Sequence, residues 1–424
     1  YPRDMERFLY LRILKLNFFM NWIQFGRLIH SIYSHNGKLP DLDWIQSLGL
    51  LAVKLGQVHA LRSDFLEPAK CEHLSKLFRN NHSMGAEDFL QLVESTAVPD
   101  FISHFEDIEK KALASASVGQ VHIGTLKDGT QVVIKAVKKD VRKNFKRDVS
   151  SVRNLFRFIS FFYRKLKRVG NPEAILNDIE EYTLSELDLV KEVDGVKVLS
   201  SIKEEDKDVY DFSKLEFANV HESLCNENVM VSEFIFGPSL DELIEEGKLE
   251  YETLLELFKV HGYYMFCKGV FHGDLHPGNV LVDEEKSHFY FIDTGYIGRV
   301  NSKIRKGLFY FFKALTENDF NEAANSLSEM AEVPLTGEAM KKFQLDLIEL
   351  YKDFPGKTVS EVSLTRQMME TIKLGVQTGM SFHQGIFAIV RSLMYLDGMV
   401  LRCNPDAILM EDIKPFIDDF DKYL

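Results

Sequence analysis

Uninterrupted apolar runs, paired cysteines and proline are all scarce in this chain, and each scarcity removes a class of protein. The two most apolar stretches are "FLYLRILKLNFFMNWIQFG" and "GIFAIVRSLMYLDGMVL". Arg12, Lys15, Asn17, Asn21 and Gln24 interrupt the first, and Arg391 and Asp397 the second. A membrane span needs roughly 20 apolar residues with few charges, so neither reads as one. Cys71, Cys225, Cys267 and Cys403 stand far apart, with no CxxC and no Cys/His cluster. That excludes a zinc framework and a disulfide scaffold. It fits small buried residues in a reducing compartment, cytoplasmic or organellar (mitochondrial or plastid). With 11 prolines and no Gly/Ser tract, no long disordered linker is expected, and no internal repeat is found. Positive charge is also short: the net charge of −13 opposes nonspecific nucleic-acid binding. A start at Tyr1 rather than Met is compatible with removal of an upstream targeting peptide.

What remains is a chain of 424 residues, 45% hydrophobic and 27% charged, long enough for one large core or two to three smaller ones. Residues 1–100 read as a helical extension, with apolar positions at helical spacing through Leu48, Leu51 and Leu55 and again through Phe89, Leu92 and Val93. Near residue 115 the period changes. "VGQVHIGTL" and "QVVIKAVK" are β-rich and joined by Lys127-Asp128-Gly129, a hairpin signal. Residues 140–168 and 172–200 look helical, with Pro172 suited to a first turn. "KLEFANV" and "NVMVSEFIF" are further strand candidates. Gly237-Pro238 closes that block, and "SLDELIEEG" carries a Ser N-cap and a Gly stop. The expected division is therefore 1–100, a β-rich lobe over 101–236 and a helical lobe over 237–424.

The chemistry concentrates in "FHGDLHPGNVLVDEEKSHFYFIDTG", residues 271–295. Asp274 precedes Asn279 by five residues, and Asp293 ends the next apolar run. In phosphoryl transfer such an aspartate orients the acceptor, the asparagine five residues on binds Mg²⁺, and the second carboxylate completes the metal site. Hard oxygen donors at two corners of one hairpin suit Mg²⁺, which keeps several waters. His272 and His276 are expected to hold the loop's backbone, since Mg²⁺ prefers oxygen. Lys135 in "VVIKAVK" sits on a strand after the hairpin, where a kinase-type lysine holds the α and β phosphates; the alternative is an exposed strand lysine. The expected class is α+β, an atypical protein-kinase-like bilobal fold with an N-terminal helical extension.

Two ordinary kinase parts are missing. "ALASASVGQVH" replaces the glycine-rich loop, so Ala114, Ser115, Ala116 and Ser117 stand where glycines would let backbone N–H groups approach phosphates. No Ala-Pro-Glu follows Asp293, and Asn301 or Ser302 already looks like the next helix cap. Little room remains for a segment that holds a peptide substrate.

These residues resemble the UbiB/ADCK family of atypical kinases, the aarF-domain proteins. "KLGQ" at 54–57 looks like the family's KxGQ motif, "ASASVGQVH" like its alanine-rich loop, "ELD" at 186–188 like its ExD motif, and "HGDLHPGN" with "DTG" like its catalytic and metal loops. The resemblance covers about residues 45–410. It implies that Lys135 is the nucleotide lysine and Glu192 its ion-pair partner. It also implies that Lys54 and Gln57 cap the active site, that Glu186 faces Lys54, and that Asp188 lies near phosphates or metal. Glu233, in the last strand candidate, joins the cofactor-binding set. Departures are Gly273 and Leu275 where the family usually has Ala and Pro, Thr294 for the Phe of DFG, and Ser115 for an alanine. Asp188 and Glu192, four apart, are expected on one helical face.

The resemblance further implies an ATP- and Mg²⁺-dependent role in ubiquinone or other isoprenoid-lipid metabolism, with a lipid or isoprenoid-quinone precursor as partner and without protein phosphorylation in trans. A homodimer is compatible with it. Two alternatives stay open: a small-molecule phosphotransferase similar to aminoglycoside or choline kinases, and a nucleotide-binding pseudokinase scaffold. Residues 138–168 carry twelve Lys/Arg against Asp140 and Asp148. An apolar stripe runs through Phe145, Val149, Val152, Phe156, Ile159, Tyr163 and Leu166. This helix could lie as a peripheral element on an anionic membrane, or its stripe could be core with a solvated basic face.

Ala116→Gly tests the alanine loop. If the Cβ holds backbone N–H groups back from the β and γ phosphates, glycine tightens ATP relative to ADP. Unchanged affinities with a lower melting temperature would mean that Ala116 serves packing alone.

Overall fold

A computed structural model describes residues 22–34, 38–60, 66–78, 83–115, 118–162, 172–283, 288–382 and 385–424. Ala116 and Ser117 lie outside them, as does the stretch around Tyr163 and Leu166. Two compact units emerge. One comprises the described residues up to Val190 with Val220–Glu233, and the other Lys191–Asn219 with Phe234–Leu424.

The first unit is built on an antiparallel sheet. Its strands are β1 (Phe105–Ile108), β2 (Ala114–Ser115), β3 (Gly119–Leu126), β4 (Gln131–Val137) and β6 (Val229–Glu233), in the order β1-β3-β4-β6 with β2 also on β3. The period-2 pattern of "QVVIKAV" decides which face of β4 is buried. Val132, Ile134 and Ala136 join Phe89, Leu92 and Val93 of the Ala86–Thr96 helix in one core, so Lys135 falls on the opposite, half-buried face. "NVMVSEFIF" is shorter as a strand than expected, because β6 ends at Glu233 opposite Val132 of β4.

The helix Val141–Phe162 settles the reading of the basic stripe as far as it is described. Phe145 and Val149 are fully buried and Val152 nearly so. Trp22 Nε1 donates to the Ser151 carbonyl at 3.2 Å, and Phe25 meets Phe156 edge-on with ring centroids 6.1 Å apart. Here the stripe is core, covered by the helix over 22–33, rather than a membrane-facing surface.

Residues 172–200 do not form one helix. Pro172–Glu186 ends before Leu187, and a new helix runs from Leu189 to Asp206. Asp188 sits in the break, so the shared face expected for Asp188 and Glu192 does not exist. The break is held from outside: Arg142 donates to the Leu187 carbonyl, and Leu189 N donates to the Glu227 carbonyl at 3.2 Å.

The second unit is mainly helical. Its large core runs from Leu199 to Phe420. "KLEFANV" contributes only β5 (Leu215–Glu216), parallel to β9 (Phe289–Phe291), which also pairs with β8 (Val280–Val282). β7 (Val270–His272) pairs with β10 (Ile297–Arg299). Ser239 and Glu242 form a reciprocal capping box on the Leu240–Glu245 helix. Asn301 caps Ser302–Thr316 through Ile304 N at 2.9 Å. Among the described residues no helix is long and apolar enough to cross a membrane.

His261 lies fully inside this core with Nε2 against Ser392 Oγ at 2.8 Å. Burial pushes its pKa from 6.5 to about 3. The unfolded chain therefore binds a proton that the folded chain refuses between about pH 6.5 and 3. Stability should be full above that window and fall as pH drops through it, at up to ~1.4 kcal/mol per pH unit from this group. Chemical unfolding from pH 7 to 4 should show a shallower decline in His261→Gln than in the parent. Parallel slopes would place the acid sensitivity elsewhere.

Candidate functional site

In the second unit the 271–295 stretch folds as two strand ends and a loop stitched by side chains. His272 is fully buried. Its Nε2 donates to the Ile292 carbonyl at 2.9 Å, and its Nδ1 accepts from Asp274 N at 3.1 Å. Burial holds its pKa below the ordinary histidine value. His276 Nδ1 accepts from Gly278 N at 3.1 Å and caps the short turn Pro277–Asn279. Both histidines thus hold backbone, as expected.

Asn279 is tied to Asp274 twice: Nδ2 donates to the Asp274 carbonyl at 3.0 Å and to Oδ2 at 3.3 Å. Spending the amide nitrogen inward leaves its oxygen as the donor available to a cation. Ile292 N donates to the Asn279 carbonyl at 3.0 Å, which brings Asp293, the next residue, beside the same loop. Asp293 has φ +53°, a left-handed conformation that Asp tolerates better than most residues and that collects at functional sites. The three side chains are half-buried. Among the described residues no group of three or more His, Cys, Asp or Glu could cage a metal. Two carboxylates and an amide instead leave positions for water and phosphate, which is how Mg²⁺ is usually held. The donor set fits that ion.

Glu192 is joined to this loop by its backbone: Thr294 Oγ1 donates to the Glu192 carbonyl at 2.8 Å. Glycine is required one turn on, because a Cβ at Gly195 would lie 2.0 Å from the Thr294 carbonyl oxygen. Gly273 has an equally local reason, since a Cβ there would lie 2.3 Å from the Tyr296 ring. Leu275 is fully buried core. Arg391 was not singled out by the sequence reading. Its Nε donates to the Gly273 carbonyl at 3.1 Å, and its guanidinium lies 4.8 Å from the Tyr296 ring centroid. No local spacing could reveal a partner 118 positions away.

The first unit holds the other candidates. Lys135 and Ala114 both pair with Val121 of β3, from opposite sides. Ser115 pairs with Gln120, and Glu233 is the last residue of β6. The end of the alanine motif is structural. Gln120 and His122 are buried, with Gln120 Nε2 2.9 Å from His122 Nε2 and His122 Nδ1 2.7 Å from the Glu109 carbonyl.

Lys54 Nζ meets Glu186 at 2.8 Å (Oε1) and 2.6 Å (Oε2), with side chains only 8% and 14% exposed. It also lies 4.9 Å from the Tyr182 ring centroid. Gln57 donates instead to the Leu77 carbonyl at 3.0 Å. Asp188 Oδ1 is buried with no hydrogen-bond partner among the described residues, an acceptor that a cation or donor would satisfy. Lys135 and Lys54 thus belong to the first unit, and Glu192, Asp274, Asn279 and Asp293 to the second.

Removing one member of the Lys54–Glu186 pair strands a buried charge. Lys54→Ala should cost about 3–5 kcal/mol in urea unfolding. Lys54→Met with Glu186→Gln should recover most of that loss. Additive losses would deny the coupling.

Residues 76–327 match the model of the ABC1 atypical kinase-like domain. The "Probable protein kinase UbiB" of Glaesserella parasuis serovar 5 is 26% identical over 391 residues, covering 89% of this chain and 69% of that protein. A protein of the same name from Vibrio cholerae serotype O1 is 26% identical over 383 residues, covering 88% and 69%. Among solved structures, the Rv3197–erythromycin complex from Mycobacterium tuberculosis aligns with a TM-score of 0.53 at 16% identity, over 88% of this chain and 90% of that one; it speaks for the fold alone. With more than half of its length matched by the model, the chain belongs to the ABC1 atypical kinase-like family.

Proposed function

We propose that this ABC1-family chain binds ATP with Mg²⁺ and uses it, by phosphoryl transfer or hydrolysis, in the metabolism of ubiquinone or another isoprenoid lipid. The kinase-like family supports a phosphotransferase type of enzyme. The name shared by relatives in two bacteria supports the link to UbiB.

The observation that carries the reading is the tie between Asp274, Asn279 and the Ile292–Asp293 segment. Asn279 and Asp293 are assigned to Mg²⁺, and Asp274 to orienting the acceptor or its proton. Magnesium held there would neutralise phosphate oxygens during transfer. Lys135 is assigned to the α and β phosphates, with Ala114, Ser115, Ala116, Ser117 and Glu233 in the nucleotide-binding set. Glu192 keeps the catalytic assignment that the resemblance gives it. Lys54, Gln57, Glu186 and Asp188 are assigned to the covering motifs. Acceptors smaller than a protein follow from the missing peptide-holding segment, and a lipid or quinone precursor fits that restriction.

MgATP should raise the melting temperature of the parent chain, because a ligand at a hundred times its Kd adds about 2.7 kcal/mol. Asp293→Asn should lose that shift, and turnover should respond to anionic liposomes with a quinone-precursor mimic. A parental shift in Asp293→Asn removes this residue from the metal set. A parent with neither shift nor turnover sinks the reading.

A further inference from the structure

A cavity of about 440 Å³ opens in the first unit where β4 ends and the Val141–Phe162 helix begins. None of the residues assigned to the nucleotide lines it. Five cations do: Lys138, Lys139, Arg142, Lys143 and Lys146. The facing acids are Asp140 and Glu227, and Glu227 is already bridged by Arg142 at 2.7 Å. The floor is fixed by the sheet, with Val137 N donating to the Asn228 carbonyl and Lys138 N to the Val118 carbonyl, both at 2.9 Å.

Lys139, Lys143 and Lys146 are exposed and have no counter-ion among the described residues. Lys143 and Lys146 are three residues apart on one helical face, where like charges weaken a helix, and Lys139 stands just before the first turn. A stabilising surface pattern would interleave acids, and the first turn contains none. The positive end of a 22-residue helix adds to the same field. Lys138 is half-buried, and burial lowers its pKa below the ordinary lysine value, a cost that an anion would relieve. A bare phosphate underfills this volume, which suits a phosphate carrying a glycerol- or sugar-sized group.

We propose that this cavity binds a phosphomonoester, a ligand site separate from the nucleotide residues. Lys139, Lys143 and Lys146 supply the recognising charge, and Arg142, held by Glu227 and the Leu187 carbonyl, forms a fixed wall. The ester can be a soluble metabolite or the head group of a lipid.

The test uses the full chain with two probes: glycerol 3-phosphate in calorimetry, and phosphatidylcholine vesicles containing phosphatidic acid in flotation. Vesicles containing phosphatidylglycerol at matched surface charge are the diester control. Lys143→Gln with Lys146→Gln should weaken binding by about tenfold or more. Lys110→Gln with Lys111→Gln, which removes equal charge outside the cavity, should leave it unchanged. Lys139→Gln lies before the helix and repeats the test without altering helical residues. MgATP stabilisation should be the same in all of them, so this site and the nucleotide reading fail independently. Binding of glycerol 3-phosphate identifies a soluble ligand, and binding of phosphatidic acid vesicles alone identifies a lipid head group. The proposal is overturned if neither probe binds, if both double variants weaken alike, or if the diester vesicles bind as tightly.

Discussion

The imidazole of His272 holds the second unit's candidate loop in shape. It spends one ring nitrogen as donor to the Ile292 carbonyl and the other as acceptor from Asp274 N–H. That pattern requires the proton on Nε2 and none on Nδ1. Complete burial favours that uncharged form. One ring therefore joins the end of β7 to the segment entering Asp293, and Asn279 adds its own bonds across the gap. Acidic side chains can stand beside buried strands here because the backbone around them is already satisfied.

In the first unit the corresponding constraint is electrostatic. Lys54 and Glu186 are 132 positions apart and almost dry. Bringing either charge out of water alone is unfavourable, so each is tolerable only with the other. The Tyr182 ring face supplies a further partner for the ammonium. The Leu50–Ala60 helix is thereby registered against Pro172–Glu186. This gives the pairing of the KxGQ and ExD motifs a physical content that neither motif has alone.

Much of this was legible because it is local. The Asp274–Asn279 spacing, the hairpin before Lys135 and the caps at Ser239 and Asn301 are encoded within a few residues, and each appears where its spacing puts it. The break at Leu187–Asp188 was not legible, because neither residue is a helix breaker. Arg142 and the Glu227 carbonyl replace the missing helical partners there, and both come from far along the chain. "KLEFANV" has strand composition, but its partner β9 has only three residues, and only Leu215 and Glu216 pair with it. The basic stripe was ambiguous because the helix over 22–33, which covers its described part, comes from more than a hundred positions earlier in the chain. Arg391 was invisible for the same reason: distance in sequence.

The departures from the family's usual residues can now be read as a compact set. A threonine at 294 exchanges an aromatic contact for a hydrogen bond to the Glu192 carbonyl. Beside that bond the Thr294 carbonyl lies so close to the helix that position 195 has no room for a Cβ. A phenylalanine at 294 would lose that bond while the close approach at Gly195 remained. Gly273 stands in the same relation to Tyr296, whose ring fills the space where an alanine methyl would go and whose face receives Arg391. These two departures, Thr294 and Gly273, are each matched by a neighbour. The loop bearing Asp274 and the segment bearing Asp293 keep their places through contacts made by His272, Asn279, Thr294 and Arg391, while the oxygen donors themselves are those the family motif specifies.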